Sequence, residues 1–171
     1  MRSVLTFIVV ALTGVSAWGA QPHPPSSIPG IHIGEALLQQ VEAALRPIEE
    51  RLSNLSIESL DVNYAQGHRI EKWAEVLQKE IRLTHQLTRQ VRSGDSVLAA
   101  FMLSSQLHES RIALMRFTDN LFQTGAGSAE LLKLATSLEQ LGLSLDQVQN
   151  PVDARLLTTL DAADAALHNC K

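Results

Sequence analysis

The chain has one cysteine, Cys170, next to its last residue, so no disulfide can close within it. Packing and hydrogen bonding alone must hold the fold, and the thiol is left to bridge a second copy, to join a metal site with His168, to react, or to do nothing. Aromatic residues make up 4% of the sequence, too few to lay out stacking platforms for bases, sugars or flat cofactors. Excess positive charge is missing as well: without Arg2 the chain has 13 basic against 18 acidic residues, a formal charge of −5. Nucleic-acid binders and polybasic membrane binders gather Lys and Arg on one face, so neither partner is expected. No Gly-x-Ser-x-Gly elbow, His-Glu-x-x-His helix, Gly-rich phosphate loop or Cys-x-x-Cys-His haem site occurs, and those are the short patterns that position nucleophiles, zinc, phosphates and covalent haem. No enzyme activity and no resident cofactor are therefore expected.

What is present begins with MRSVLTFIVVALTGVSAWGA, residues 1–20. One basic residue, Arg2, precedes an apolar run from Val4 to about Val15, followed by small residues at Ser16, Ala17, Gly19 and Ala20. That order is the layout of a secretory signal peptide, with cleavage expected after Ala17 or Ala20. The apolar run falls short of the roughly 20 residues of a membrane-spanning helix unless the weaker stretch to Ala20 is counted. No membrane span is expected after cleavage, and the mature protein is expected in the periplasm or secreted. Residues 21–33 open with QPHPPSSIPG, four prolines among ten residues. Proline fixes φ and has no amide donor, so this stretch reads as an extended spacer. Residues 34–171 are long enough for a single domain with one core.

That domain is rich in Leu and Ala and reads as helix throughout, with no convincing alternating strand. Val41, Leu45, Ile48, Leu52 and Leu55 step by four and three along the first helix, with Pro47 expected to kink it. A second helix is expected from about His68 to Ser93, with Gly67 closing the region before it and Gly94 as a left-handed C-cap. A third, capped by Ser93 or Asp95, carries two seams: Leu98, Phe101, Ser105, His108, Ile112 and Met115 on one, Leu103, Leu107, Leu114, Phe117 and Leu121 on the other. Two seams suggest a central element buried on two sides. After TGAGS, Ser128 caps AELLKLATSLEQL; Gly142 weakens that helix, and Asn150–Pro151 supplies a cap and first-turn proline for another. The expectation is an all-α antiparallel up-down bundle of four to five helices.

Pairing the second and third helices about Gly94 sets His108 opposite Glu80, with Thr84 facing Ser105 one layer away. Glu80, Thr84, Ser105 and His108 then form a polar layer between apolar ones. Such a layer serves a metal or a proton, or it fixes helix register; one His and one Glu are too few ligands for a metal. In a four-helix topology His32 and His168 share an end, with Cys170 beside them. This is a candidate terminal cluster for a metal or non-covalent haem, or a pair of solvated tails. Cys170, at an exposed helix C-terminus in an oxidising compartment, is expected to be able to form a disulfide-linked homodimer.

LSLDQ, Leu143 to Gln147, is similar to the Leu-Thr-x-x-Gln motif of the CpxP/Spy family of periplasmic helical chaperones, with Ser144 in place of threonine. The resemblance covers five residues and implies holding unfolded proteins or sensing envelope stress. Ser144 and Gln147 also have the spacing of an ordinary capping box. The functional expectation is a protein-interaction or structural module with a protein partner; the alternative is a small-molecule, haem or metal-binding bundle, or a chaperone of that kind.

Overall fold

A computed structural model describes residues 33–94, 97–125 and 128–168. Its elements are α1 (Glu35–Ser53), a 3₁₀ turn (Ile57–Ser59), α2 (Tyr64–Ser93), α3 (Val97–Thr124) and α4 (Ala129–His168). Each α-helix packs on two others: α2 and α4 flank α1, and they also flank α3. The backbones of the diagonal pairs stay farther apart among the described residues. The chain is an all-α, antiparallel four-helix bundle, a ring with one helix at each corner.

Every corner helix turns one broad arc inward. On α1 that arc is Leu38, Val41, Leu45, Ile48 and Leu52, all buried, with Leu55 half-buried after the helix ends. The expected stripe is thus the buried one, and α1 runs through Pro47. The missing amide leaves only the Ala43 carbonyl without its intrahelical partner, and Ala43 is exposed to water. α2 contributes Ile70, Leu77 and Ile81, α3 contributes Leu103, Leu107, Leu114, Phe117 and Leu121, and α4 contributes Leu131, Leu138, Leu145, Val152 and Leu156. Fully burying each large side chain contributes about 1.5–3 kcal/mol, so this core outweighs the local defects described next.

One such defect decides the helix count. α4 continues through Gly142 and Pro151 as a single helix of 40 residues, so no fifth helix begins at Asn150. Leu145, Val148, Val152 and Leu156 are buried at three- and four-residue steps straight across the proline. The carbonyl that Pro151 orphans belongs to Gln147, which faces solvent. An unbroken buried row on one side and a hydrated carbonyl on the other outweigh the proline. The LSLDQ stretch therefore lies inside α4, and Ser144 begins no helix there.

The helix ends differ in detail from expectation. α2 starts at Tyr64, four residues earlier than His68, on a capping box: Gln66 N donates to Asn63 Oδ1 and Asn63 N donates to Gln66 Oε1, both at 2.9 Å. Gly67 lies inside the first turns of α2 and closes nothing; a Cβ there would sit 2.9 Å from Ile57 Cγ2, so its absence lets the 3₁₀ turn lie against the helix. Gly94 has φ −169° and ψ 151°, extended backbone where a left-handed cap was expected. Ser93 is the last residue of α2, and Asp95 lies outside the described residues. Ser128 does cap α4, its hydroxyl accepting from Leu131 N at 3.4 Å.

The outer seam between α1 and α2 is closed by charge. Arg92 donates to Glu35 Oε2 and, through both terminal nitrogens, to the two oxygens of Glu42, each at 3.0 Å. One heptad along, His85 Nε2 lies 3.2 Å from Glu49 Oε2, off the line of a hydrogen bond. The hydrogen bonds from Arg92 hold the Glu42 carboxyl below its ordinary pKa, against a smaller opposing effect of burial. A carboxylate lowered in this way stabilises the fold above its unfolded pKa of about 4.3 and loses that contribution as pH falls through the folded value. Glu42→Gln is therefore expected to melt below wild type at pH 7, with the gap closing as the pH drops below about 4. Thermal melts across pH check this, and a gap independent of pH would contradict it.

Candidate functional site

The two seams of α3 take unequal places. Because α3 stands at a corner, both its neighbours lie on one side, and only the seam from Leu103 to Leu121 faces inward. The other seam looks out: Leu98, Phe101 and Met115 are among the exposed large apolar side chains, and Ser105 and His108 are exposed too. The proposed layer of Glu80, Thr84, Ser105 and His108 is therefore not formed. Thr84, fully buried, pairs with Ser110 at 2.8 Å. Glu80 accepts from Gln106 Nε2 at 2.6 Å. His108 turns to α4, its Nδ1 3.4 Å from Gln149 Nε2. Reading α3 as a central element placed its polar seam inside; a corner helix has an inner arc only. What remains of the layer is a hydroxyl pair, Thr84–Ser110, satisfied within the core.

The terminal cluster is only partly in view. His168 ends α4, twelve residues beyond Leu156, the last buried among the described residues, which places it about 18 Å further along the axis. Its side chain is 72% exposed and its Nδ1 lies 3.1 Å from the Asp164 carbonyl oxygen of its own helix. His32 and Cys170 lie outside the described residues. Among the described residues no three His, Cys, Asp or Glu side chains converge as metal ligands.

The most developed surface feature is the outer seam between α3 and α4. Polar contacts stitch its middle: Ser104 Oγ donates to Asp153, His108 meets Gln149, and Arg111 pairs with Asp146. Phe101 on α3 and Leu157 on α4, both exposed, lie further towards the open end of α4. Beyond Arg111–Asp146, towards the α3–α4 turn, the seam opens into a groove of about 280 Å³. Leu114 and Leu138, both buried, make its floor, and Met115, Phe122 and Leu143, all partly exposed, make its walls. Gly142 deepens it, since a Cβ there would meet only Leu114 Cδ2, at 3.6 Å. Three carboxylates stand on the rim, Asp119, Glu139 and Asp146, against the single guanidinium of Arg111.

Charge is also divided between opposite corners of the ring. α2 carries six basic residues and three acidic ones, and Arg69, Lys72, Lys79, Arg82 and Arg89 are all exposed. α4 carries six acidic residues and two basic ones. The groove lies on the acidic side. None of its lining was singled out from the sequence as a site, although Met115 was read as part of a seam and LSLDQ supplies Leu143 and Asp146. A signal was there: Arg111 and Thr118 are seven residues apart on α3, as are Met115 and Phe122, and Glu139 and Asp146 are seven apart on α4. That spacing marks an edge that two antiparallel helices share.

No protein family, curated protein or solved structure matches this chain.

Proposed function

We propose that this chain is an exported, non-enzymatic protein-interaction module of the cell envelope, and that the outer α3–α4 seam is its contact surface. The single observation that carries the reading is the set of large apolar side chains left in water there. Met115 and Leu143 are more than half exposed around a groove, with Phe122 beside them; Phe101 and Leu157 are exposed on the far side of the polar contacts. Contiguous apolar surface rimmed by polar groups marks interaction sites, whereas the groove of about 260 Å³ at the α1–α2 seam is lined by Glu49, Ser53, Gln78 and Arg82, all polar. Export rests on the order of residues 1–20, charged, apolar, then small. The groove's volume lies at the lower edge of the roughly 300–1,000 Å³ of small-molecule sites, and it is open to solvent, so it suits an inserted side chain better than an engulfed ligand.

A photo-crosslinking residue at position 143, in protein expressed in its native compartment, is expected to give a discrete adduct band. The same residue at position 72, on the basic face of α2, is expected to give none. Equal labelling from both positions, or no adduct from 143, would remove the α3–α4 seam as the contact surface.

A further inference from the structure

Building on the reading of the α3–α4 seam as a contact surface, we infer that its occupant is a basic amphipathic helix, seated with its apolar stripe on Met115, Phe122 and Leu143 and its Lys or Arg residues against Asp119 and Glu139. Three observations converge on that chemistry.

The first is shape. The groove follows α3 from Arg111 to Phe122, eleven residues and therefore about 16 Å along the axis, the length of three helical turns. Met115 and Phe122 stand one heptad apart, the interval at which a docked helix repeats its own apolar positions. With no side chain at Gly142, the buried Leu114 is left within reach of an apolar anchor of the occupant.

The second is charge at the site. Arg111 is matched to Asp146 within the chain, which leaves Asp119 and Glu139 as net negative rim on either side of an apolar floor. An acidic or neutral helix would leave those carboxylates desolvated without partners, a cost that selects against it; Lys or Arg at flanking positions pairs with them.

The third is charge elsewhere. α4 carries six acidic residues against two basic ones, and its Glu139, Asp146 and Asp153 follow the seam, while the six basic residues of α2 sit at the far corner of the ring.

The test uses the chain from Gln21 onward and three labelled peptides of about four turns: a Leu/Lys amphipathic helix, a Leu/Glu helix of the same pattern, and the Leu/Lys composition scrambled to destroy the stripe. Fluorescence anisotropy is expected to show the Leu/Lys helix binding at least tenfold more tightly than either other peptide, with affinity falling as salt rises. Met115→Ser combined with Leu143→Ser, both exposed and so tolerated by the fold, is expected to weaken binding about tenfold or more, the scale of losing interface anchors. Asp119→Asn with Glu139→Gln is expected to weaken it and flatten the salt dependence; circular dichroism confirms that each variant is folded. Equal binding of the Leu/Glu or scrambled peptide, or an unchanged affinity in the double-serine variant, overturns the inference. So does salt-sensitive self-association of wild type that Lys79→Glu with Arg82→Glu abolishes, because the occupant would then be a second copy. An adduct from position 143 together with no Leu/Lys binding would retain the contact surface and reject this partner class.

Discussion

Phe117→Ala is expected to lower the unfolding free energy by about 3–5 kcal/mol, while Phe101→Ala changes it by no more than about 1 kcal/mol. Both phenylalanines lie on α3, each in an apolar row of similar strength, and only their placement differs. Phe117 is fully buried and belongs to the row that Leu103, Leu107, Leu114 and Leu121 complete at the centre of the ring. Removing its ring leaves a cavity bounded by helices that cannot collapse without moving the other layers. Phe101 is 40% exposed on the outer seam, so water fills the space its ring leaves. Urea unfolding of the two variants measures the difference. The reverse ranking would mean that the Leu98–Met115 row faces inward and that the groove described above does not exist.

A second large effect is expected where α3 hands over to α4. Gly125→Ala should destabilise by about 1–3 kcal/mol, as overpacking does. An added Cβ would stand 2.9 Å from Leu131 Cβ and 2.8 Å from the Leu121 carbonyl oxygen, which itself accepts from Gly125 N at 2.7 Å. Neither neighbour is the loose end of a side chain: one is fixed by the buried Leu131, the other is backbone. Gly94→Ala is the matched control, because a Cβ there meets nothing within 4 Å and its backbone is extended. That change should be neutral or stabilising by up to about 1 kcal/mol, through the smaller freedom of the unfolded chain. Thermal unfolding of the two variants side by side decides the matter, and equal melting temperatures would contradict a close helix approach at Gly125.

These two glycines also show how far the sequence could be read. Both follow a helix and precede another, and nothing local separates them; the difference lies in Leu131, brought close only once α4 has packed. The helical class and the α1 stripe were legible because each is set by a period within one segment. The unbroken course of α4 was hidden by Asn150–Pro151, a strong local start signal. It is overridden by Val148, Val152 and Leu156, whose burial depends on helices elsewhere. The α2 start could have been read from Asn63 and Gln66, a capping-box spacing with Asn in place of Ser or Thr. His108 looked informative because it interrupts an apolar row, and that row proved to be an outer one. The groove was the least legible feature, since its walls come from two helices and each wall residue alone resembles an ordinary surface Leu, Met or Phe.

The separation of charge between α2 and α4 gives the bundle an electric dipole across its long axis, on top of its net negative charge. At physiological ionic strength such a field reaches only about 8 Å, so it acts as a torque in the last stage of an encounter and draws little from afar. A cationic body meeting the bundle on the wrong side is turned away from α2 and towards α4 before it is held. Near an anionic surface the preference reverses: α2 turns inward and the α3–α4 seam is left facing outward. The same distribution of side chains would thus set association rates through orientation, while the apolar contacts at Met115, Phe122 and Leu143 would set how long a complex lasts.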